Sequence, residues 1–229
     1  VTDGRHARWE KHNQARRQQI LDAAIAVVEA GSPGAEFHVQ QIADQAGLNR
    51  TVVYRHFADR ADLDRALQGE ILQDLTARLL PAVTLDGTIT KIIERVVSTY
   101  VGWAVEHPAL HRLAESDSGP LQLGIHQIAA VLVEILETAI DLLGVELEEG
   151  DRASIDPLAY ALVGAVFGAV RRWASRDERE PPAAQLAALL SLSVWHIIDG
   201  HARRLGLELD PDLPIEELLG IPDPEAAPA

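Results

Sequence analysis

The chain has 229 residues, is 47% hydrophobic and contains no cysteine, which excludes disulfides, thiolate metal sites and thiol catalysis. Its formal net charge of −15 is unevenly spread: residues 1–68 hold nine Lys/Arg and nine Asp/Glu, so the whole excess lies in residues 69–229. The first twenty residues lack the apolar stretch of a secretory signal, and the longest nearly apolar run, Pro157 to Val170, is too short to span a bilayer as a helix, so the expectation is a cytoplasmic protein that meets no membrane.

Residues 1–11 are polar and are expected to form a mobile arm. Helical spacing begins near Asn13 and runs to Ala30, with Ile20, Leu21, Ala24, Ile25, Val27 and Val28 on the apolar side. Gly31, Ser32, Pro33 and Gly34 break the chain. Two short helices are predicted next, Val39–Ala46 and Arg50–His56, separated by Gly47 and capped at Asn49. Ile42, Ala43 and Ala46 give the first an apolar face. The second turns Arg50, Thr51, Tyr54, Arg55 and His56 outward. A short helix that exposes such groups after a tight turn is the reading part of a helix-turn-helix.

A long helix from Arg60 to Leu80 follows, with Leu63, Leu67, Ile71, Leu75 and Leu79 near one stripe. Beyond the loop Pro81–Gly87, the periodicity predicts a helix over Thr88–Glu106 and a short one from Pro108 to Glu115. Leu121–Leu143 is apolar on most sides and reads as a central buried helix ended by Gly144. Asp151–Ser175 and Pro182–Leu205 are the last two long helices, and the acidic, proline-rich sequence after Gly206 reads as a frayed tail. No strand and no internal repeat is predicted. The fold class is all-α: an N-terminal three-helix helix-turn-helix head joined to an all-helical ligand-binding and dimerisation body, about nine helices in all. The expected boundaries are 1–58 for the DNA-binding domain with its arm, 59–206 for the body and 207–229 for the tail.

The motif Ile42-Ala43-x-x-Ala46-Gly47-Leu48, then Tyr54, then His56-Phe57-x-x-Arg60-x-x-Leu63, resembles the DNA-binding head of the TetR family of transcriptional regulators over residues 14–67. The remaining helices agree with that family in number and length only. The resemblance implies a dimeric regulator of double-stranded operator DNA. It also implies a phosphate contact at Arg60, where the family usually has a lysine. His38, Asn49 and Thr51 depart from the Ser or Thr, Ser and Gly that are common there. On physical grounds, Tyr54 and His56 suit phosphates, Arg50, Thr51, Val52 and Arg55 suit base edges, and Gln40 joins the DNA-binding set.

The small residues Ala161, Gly164, Ala165 and Gly168, with Phe167, Val170 and Trp173, suggest one half of a helical dimer interface. Leu189, Leu192, Trp195 and His196 suggest the other half. Tyr100, Trp103, His107, His111, Gln127 and Glu134 are the side chains expected to meet an unknown small-molecule effector, apolar or amphipathic by default. His107, His111 and Glu115 recur every four residues, but one short helix rarely satisfies a metal, so neither metal nor cofactor is expected. No phosphate-cradling glycine loop, nucleophile elbow or H-E-x-x-H occurs, which argues against an enzyme. The leading expectation is a repressor released from its operator by ligand. A regulator of opposite sign and a helical protein-interaction module are the alternatives.

Overall fold

The computed structural model describes residues 3–84, 86–114 and 118–220. Helices account for the regular structure among these residues, apart from one bridge that pairs Thr88 with Pro214. In chain order they are α1 (Asp3–Glu29), α2 (Val39–Gln45), α3 (Arg50–His56), α4 (Arg60–Leu79), a 3-10 turn (Leu80–Ala82), α5 (Ile89–Glu106), α6 (Pro108–Ala114), α7 (Ser118–Leu142), α8 (Glu149–Arg152), α9 (Ile155–Ala174), α10 (Ala183–Arg204) and α11 (Ile215–Leu218).

The chain forms two compact units. The first gathers α1, α2, α3, α4 as far as Asp74, and the segment from His107 to Gln122, which holds α6 and the start of α7. The second gathers α4 from Leu75, α5, and the chain from Leu123 onward. The first unit is therefore larger than the expected 1–58 head. Two contacts explain its extra elements: α6 packs against α1, and the Gln68 side-chain amide of α4 donates to the Leu113 carbonyl oxygen at 3.1 Å. The apolar stripe of α4 is buried throughout, at Leu63, Leu67, Ile71, Leu75 and Leu79. The spacing of four keeps these side chains on one face of the helix.

In the second unit α5 packs against both α9 and α10. Val97, Tyr100, Val101, Trp103 and Ala104 of α5 are buried, as are Leu162, Val163, Phe167 and Val170 of α9 and Leu186, Ala187 and Leu190 of α10. Tyr100 stacks on Phe167 with ring centroids 4.5 Å apart. Glu149–Ala174 and Ala183–Arg204 are long and apolar enough to cross a membrane by length and composition alone.

Four expectations are corrected. The polar arm is helical from Asp3, continuous with the helix expected from Asn13. The single helix expected over Asp151–Ser175 is interrupted at Ala153 and Ser154, where the Ser154 hydroxyl turns back to the Gly150 carbonyl at 2.8 Å. The third correction concerns α7, which is not a central buried helix: Ile125 and Ala129 are buried, but Val131, Leu132, Val133, Ile135, Leu136 and Ile140 stay half-exposed. Composition shows that such a helix is apolar and leaves open what covers it.

The fourth correction concerns the tail. The chain after Gly206 returns to the start of α5. The Ile215 N–H donates to the Gly87 carbonyl at 2.9 Å, the Thr90 hydroxyl donates to the Pro211 carbonyl at 3.1 Å, and Ile215 of α11 and Leu219 just beyond it are buried. Beside this strap, Arg95 of α5 holds the preceding loop by its carbonyl oxygens, at 2.8 Å to Ala82 and 2.6 Å to Thr84. Acidic and proline-rich composition favours an extended path without forbidding two buried side chains. Residues 221–229 of the expected tail lie outside the described residues. Ile215→Ala is expected to destabilise the protein by about 2 kcal/mol, seen as a lower urea midpoint with an unchanged slope. A shift of less than about 0.5 kcal/mol would return the segment to a frayed tail.

Candidate DNA-binding head

The head is built on two seven-residue helices, too short to be stable alone. Burial and capping hold them. Ile42 and Ala43 of α2, Val53 of α3 and Phe57 just beyond it are almost fully buried against the first unit, as is Ile20 of α1. Between the helices Gly47 adopts φ +65°, and the turn closes with Leu48 N–H to Ala43 O at 2.8 Å and Gly47 N–H to Asp44 O at 3.1 Å. This is the paired hydrogen bonding of a glycine C-cap, which needs a left-handed residue at that position. The Asn49 side-chain oxygen then accepts from the Thr51 N–H at 2.9 Å and starts α3.

Two side chains of α1 satisfy the free ends of both short helices. Gln19 donates to the Ala46 carbonyl at 2.8 Å, at the end of α2. Arg17 donates to the His56 carbonyl at 2.7 Å, at the end of α3, and lies over the Phe57 ring at 4.1 Å. A cation at a helix C-terminus is favoured by the exposed carbonyls and the helix dipole. Sequence reading missed both roles, since the Arg17 partner is 39 residues away.

With its inner face fixed, α3 exposes Arg50, Thr51, Tyr54 and Arg55, leaves Val52 and His56 half-exposed, and buries only Val53. Arg50 and Tyr54 meet on the outer face, with the guanidinium 5.5 Å from the ring centroid. Gln40 is exposed on α2 and donates to Asp44 at 2.7 Å. Partial burial first, then the cations Arg16, Arg17 and His12, holds His56 below the usual imidazole value. It is therefore mostly neutral at pH 7 in the free head. His38 precedes α2, and its backbone N–H is taken by the Gln41 side-chain oxygen at 2.7 Å.

Arg60 differs from the others. Its Nε–H lies 2.8 Å from both Asp64 carboxylate oxygens, its Nη1 donates to the Phe37 carbonyl at 2.8 Å, and the guanidinium lies over the Phe37 ring at 4.2 Å. These groups border an open groove of about 360 Å³ lined by Ala35, Glu36, Phe37, His38, Arg60 and Asp64.

The six expected effector contacts are divided between the two units. Tyr100 and Trp103 are buried on α5, with Tyr100 stacked on Phe167. His107 and His111 belong to the first unit, where His107 meets Glu29 of α1 at 2.6 Å and His111 is buried in α6. Gln127 and Glu134 are exposed on α7. Glu115 of the suggested metal triad lies outside the described residues, and His107 precedes α6 rather than sharing it.

The expected dimer face divides. Ala161 and Gly168 of α9 and Leu192 and His196 of α10 are exposed, and Gly164 is half-exposed. Phe167 and Trp195 are buried within the second unit and are corrected from interface to core. Phe167 falls on the α9 face that meets Tyr100, and Val170 and Trp173 of the same helix are buried as well.

No family model matches the chain. Its sequence is similar to an uncharacterised HTH-type transcriptional regulator, Rv0472c of Mycobacterium tuberculosis, with 26% identity over 205 residues, 87% of this chain and 84% of the relative. It is also similar to the nucleoid occlusion factor SlmA of Marinomonas sp., with 27% identity over 174 residues, 73% of this chain and 87% of that protein. In fold it matches a TetR-family transcriptional regulator from Streptomyces coelicolor, with TM-score 0.64, 22% identity, and 94% and 92% of the two chains covered. The helix-turn-helix geometry and these similarities agree: the chain is a DNA-binding transcriptional regulator with the fold of the TetR family.

Proposed function

We propose that the protein acts in the cytoplasm as a homodimeric repressor that leaves its operator when a small apolar or amphipathic molecule binds the second unit. The observation that carries the DNA side of this reading is α3 itself. Its buried Val53 and clamped C-terminus leave Arg50, Thr51, Tyr54 and Arg55 on the exposed face of a helix of the size that enters a major groove. Arg50 and Arg55 supply guanine readers, Thr51 and Val52 supply methyls for thymine, and Tyr54, His56 and Gln40 supply phosphate contacts.

The dimer side rests on α9 and α10. Leu189 and Leu192 are 55% and 54% exposed, and Ile197 is 39% exposed. A Cβ added at Gly164, Gly168 or Gly200 would meet nothing within 4 Å, so no contact within the chain calls for glycine at these positions. Exposed leucines beside backbone that can be approached closely suit a second pair of the same helices, as in a four-helix interface. A dimer of heads would read two half-sites about one helical turn, or a multiple of it, apart.

The effector side rests on α7, whose half-exposed apolar side chains offer an apolar molecule more contact than a filled core would. Binding of effector and operator would be coupled reciprocally. Each tenfold loss of DNA affinity requires about 1.4 kcal/mol tighter effector binding to the DNA-free form.

Duplexes selected from a random pool by the wild-type chain are expected to carry a two-fold repeat, and Tyr54→Ala is expected to bind them about tenfold more weakly with its melting midpoint unchanged. Equal affinity in fluorescence anisotropy would remove Tyr54 from the contact set. Leu192→Glu is expected to turn a dimer into a monomer by light scattering at micromolar concentration and to cost operator affinity as well. A wild-type monomer under those conditions would overturn the dimer reading. For pH, a phosphate beside His56 favours the imidazolium, so the complex holds more protons than the free head. Affinity should therefore rise as pH falls from about 7 towards 5, and this rise should be smaller in His56→Gln.

A further inference from the structure

We infer that Asp64 is a built-in competitor for DNA phosphate at Arg60, a brake that weakens the head's hold on any duplex. The inference rests on the reading of the head as DNA-binding and concerns how strongly one of its cations takes part.

The geometry around Arg60 is overdetermined. Its guanidinium is fixed from the ring face by Phe37, at one edge by both oxygens of Asp64 and at Nη1 by the Phe37 carbonyl. A guanidinium carries five N–H donors, and these bonds use two of them. Arg60 lines the open groove, which also carries His38, and three of its donors are left for a phosphate. The pair itself is about one-third exposed, 37% for Arg60 and 31% for Asp64. A phosphate reaching these donors would meet a cation already oriented for it.

It would also meet a carboxylate lying against that cation. Asp64 cancels most of the field that Arg60 would present, so the pair is close to neutral towards an incoming phosphate. Salt dependence counts the phosphates whose counterions are displaced by protein charge. A cation with its own carboxylate attached should release less than a full counterion. Arg60 is thus positioned as a phosphate donor but discounted as a charge. Asp62 cannot do the same, since its carboxylate accepts the Ala58 N–H at 3.0 Å and lies 3.9 Å from Arg65 instead.

The consequence is a positioning role for Asp64 that can be separated from stability. Asp64→Asn keeps an oxygen acceptor for the Arg60 Nε–H and removes the charge. With the full-length chain and a random-sequence 30-base-pair duplex as probe, Asp64→Asn is expected to bind roughly fivefold more tightly at low salt. Its plot of log affinity against log salt should steepen by about 0.9. Arg60→Gln should bind more weakly than wild type, and Asp64→Asn added to Arg60→Gln should give little further gain. Asp64→Ser serves the same test if the Asn variant does not fold. Unchanged affinity and slope in Asp64→Asn would overturn the inference while leaving DNA binding intact. A gain of the same size in the Arg60→Gln background would overturn it too, because it would report general loss of negative charge. A wild-type chain without salt-dependent binding to the duplex would remove the DNA-binding reading and this inference with it.

Discussion

The head depends on one constraint: two seven-residue helices must be held at a fixed angle without any stability of their own. Helix α1 supplies it. Its apolar side receives Ile42, Ala43, Val53 and Phe57, and its polar side reaches over the rim to the last carbonyls of both short helices through Gln19 and Arg17. Burial alone would leave α3 free to rotate about its axis. The Arg17 bond at the α3 C-terminus, with the same guanidinium over Phe57, removes that freedom. The outward direction of Arg50, Tyr54 and Arg55 then follows from the helical repeat. A regulator whose reading helix were loose would pay the ordering cost on every encounter with DNA, so a pre-set helix favours affinity.

Charge is distributed on the same principle of assigned work. The acidic excess lies in residues 69–229, where it discourages contact with a polyanion, and the first part is neutral overall, with Arg50 and Arg55 on α3 and Arg16 and Arg17 near His56. Not every cation there faces outward. Arg17 is committed to a carbonyl and a ring, and Arg60 to a carbonyl, a ring and a carboxylate. Counting arginines in the head therefore overstates the charge available to phosphate. The exposed pair Arg50 and Arg55 carries more of it than the total suggests.

Much of this was legible in the sequence, and the pattern of what was not is physical. The stripe of α4 followed from periodicity, because that helix has one clear apolar face. Gly47 and Asn49 were readable because turn geometry and N-capping are local. The bonds of Arg17 and Arg60 to the His56 and Phe37 carbonyls were not legible, because those partners are 39 and 23 residues away. Phe167 and Trp195 fell on the wrong side because a helix apolar over a wide arc does not declare which part meets its own core. The same ambiguity put α7 at the centre. The strap after Gly206 was lost because two buried side chains, Ile215 and Leu219, are too few to make a period.

That strap has a consequence for the order of assembly. The head is made of contacts within a short span of chain, apart from α6, and its three helices can form as soon as they emerge. The second unit is closed by pairings between the start of α5 and residues far downstream, with Thr90 and Pro211 separated by 121 positions. Loop closure over that distance is slow relative to local helix formation. During synthesis the chain would thus carry a formed head well before the body is latched. The proposed effector and dimer faces, which belong to the body, would come last, so that any partnering would follow formation of the head.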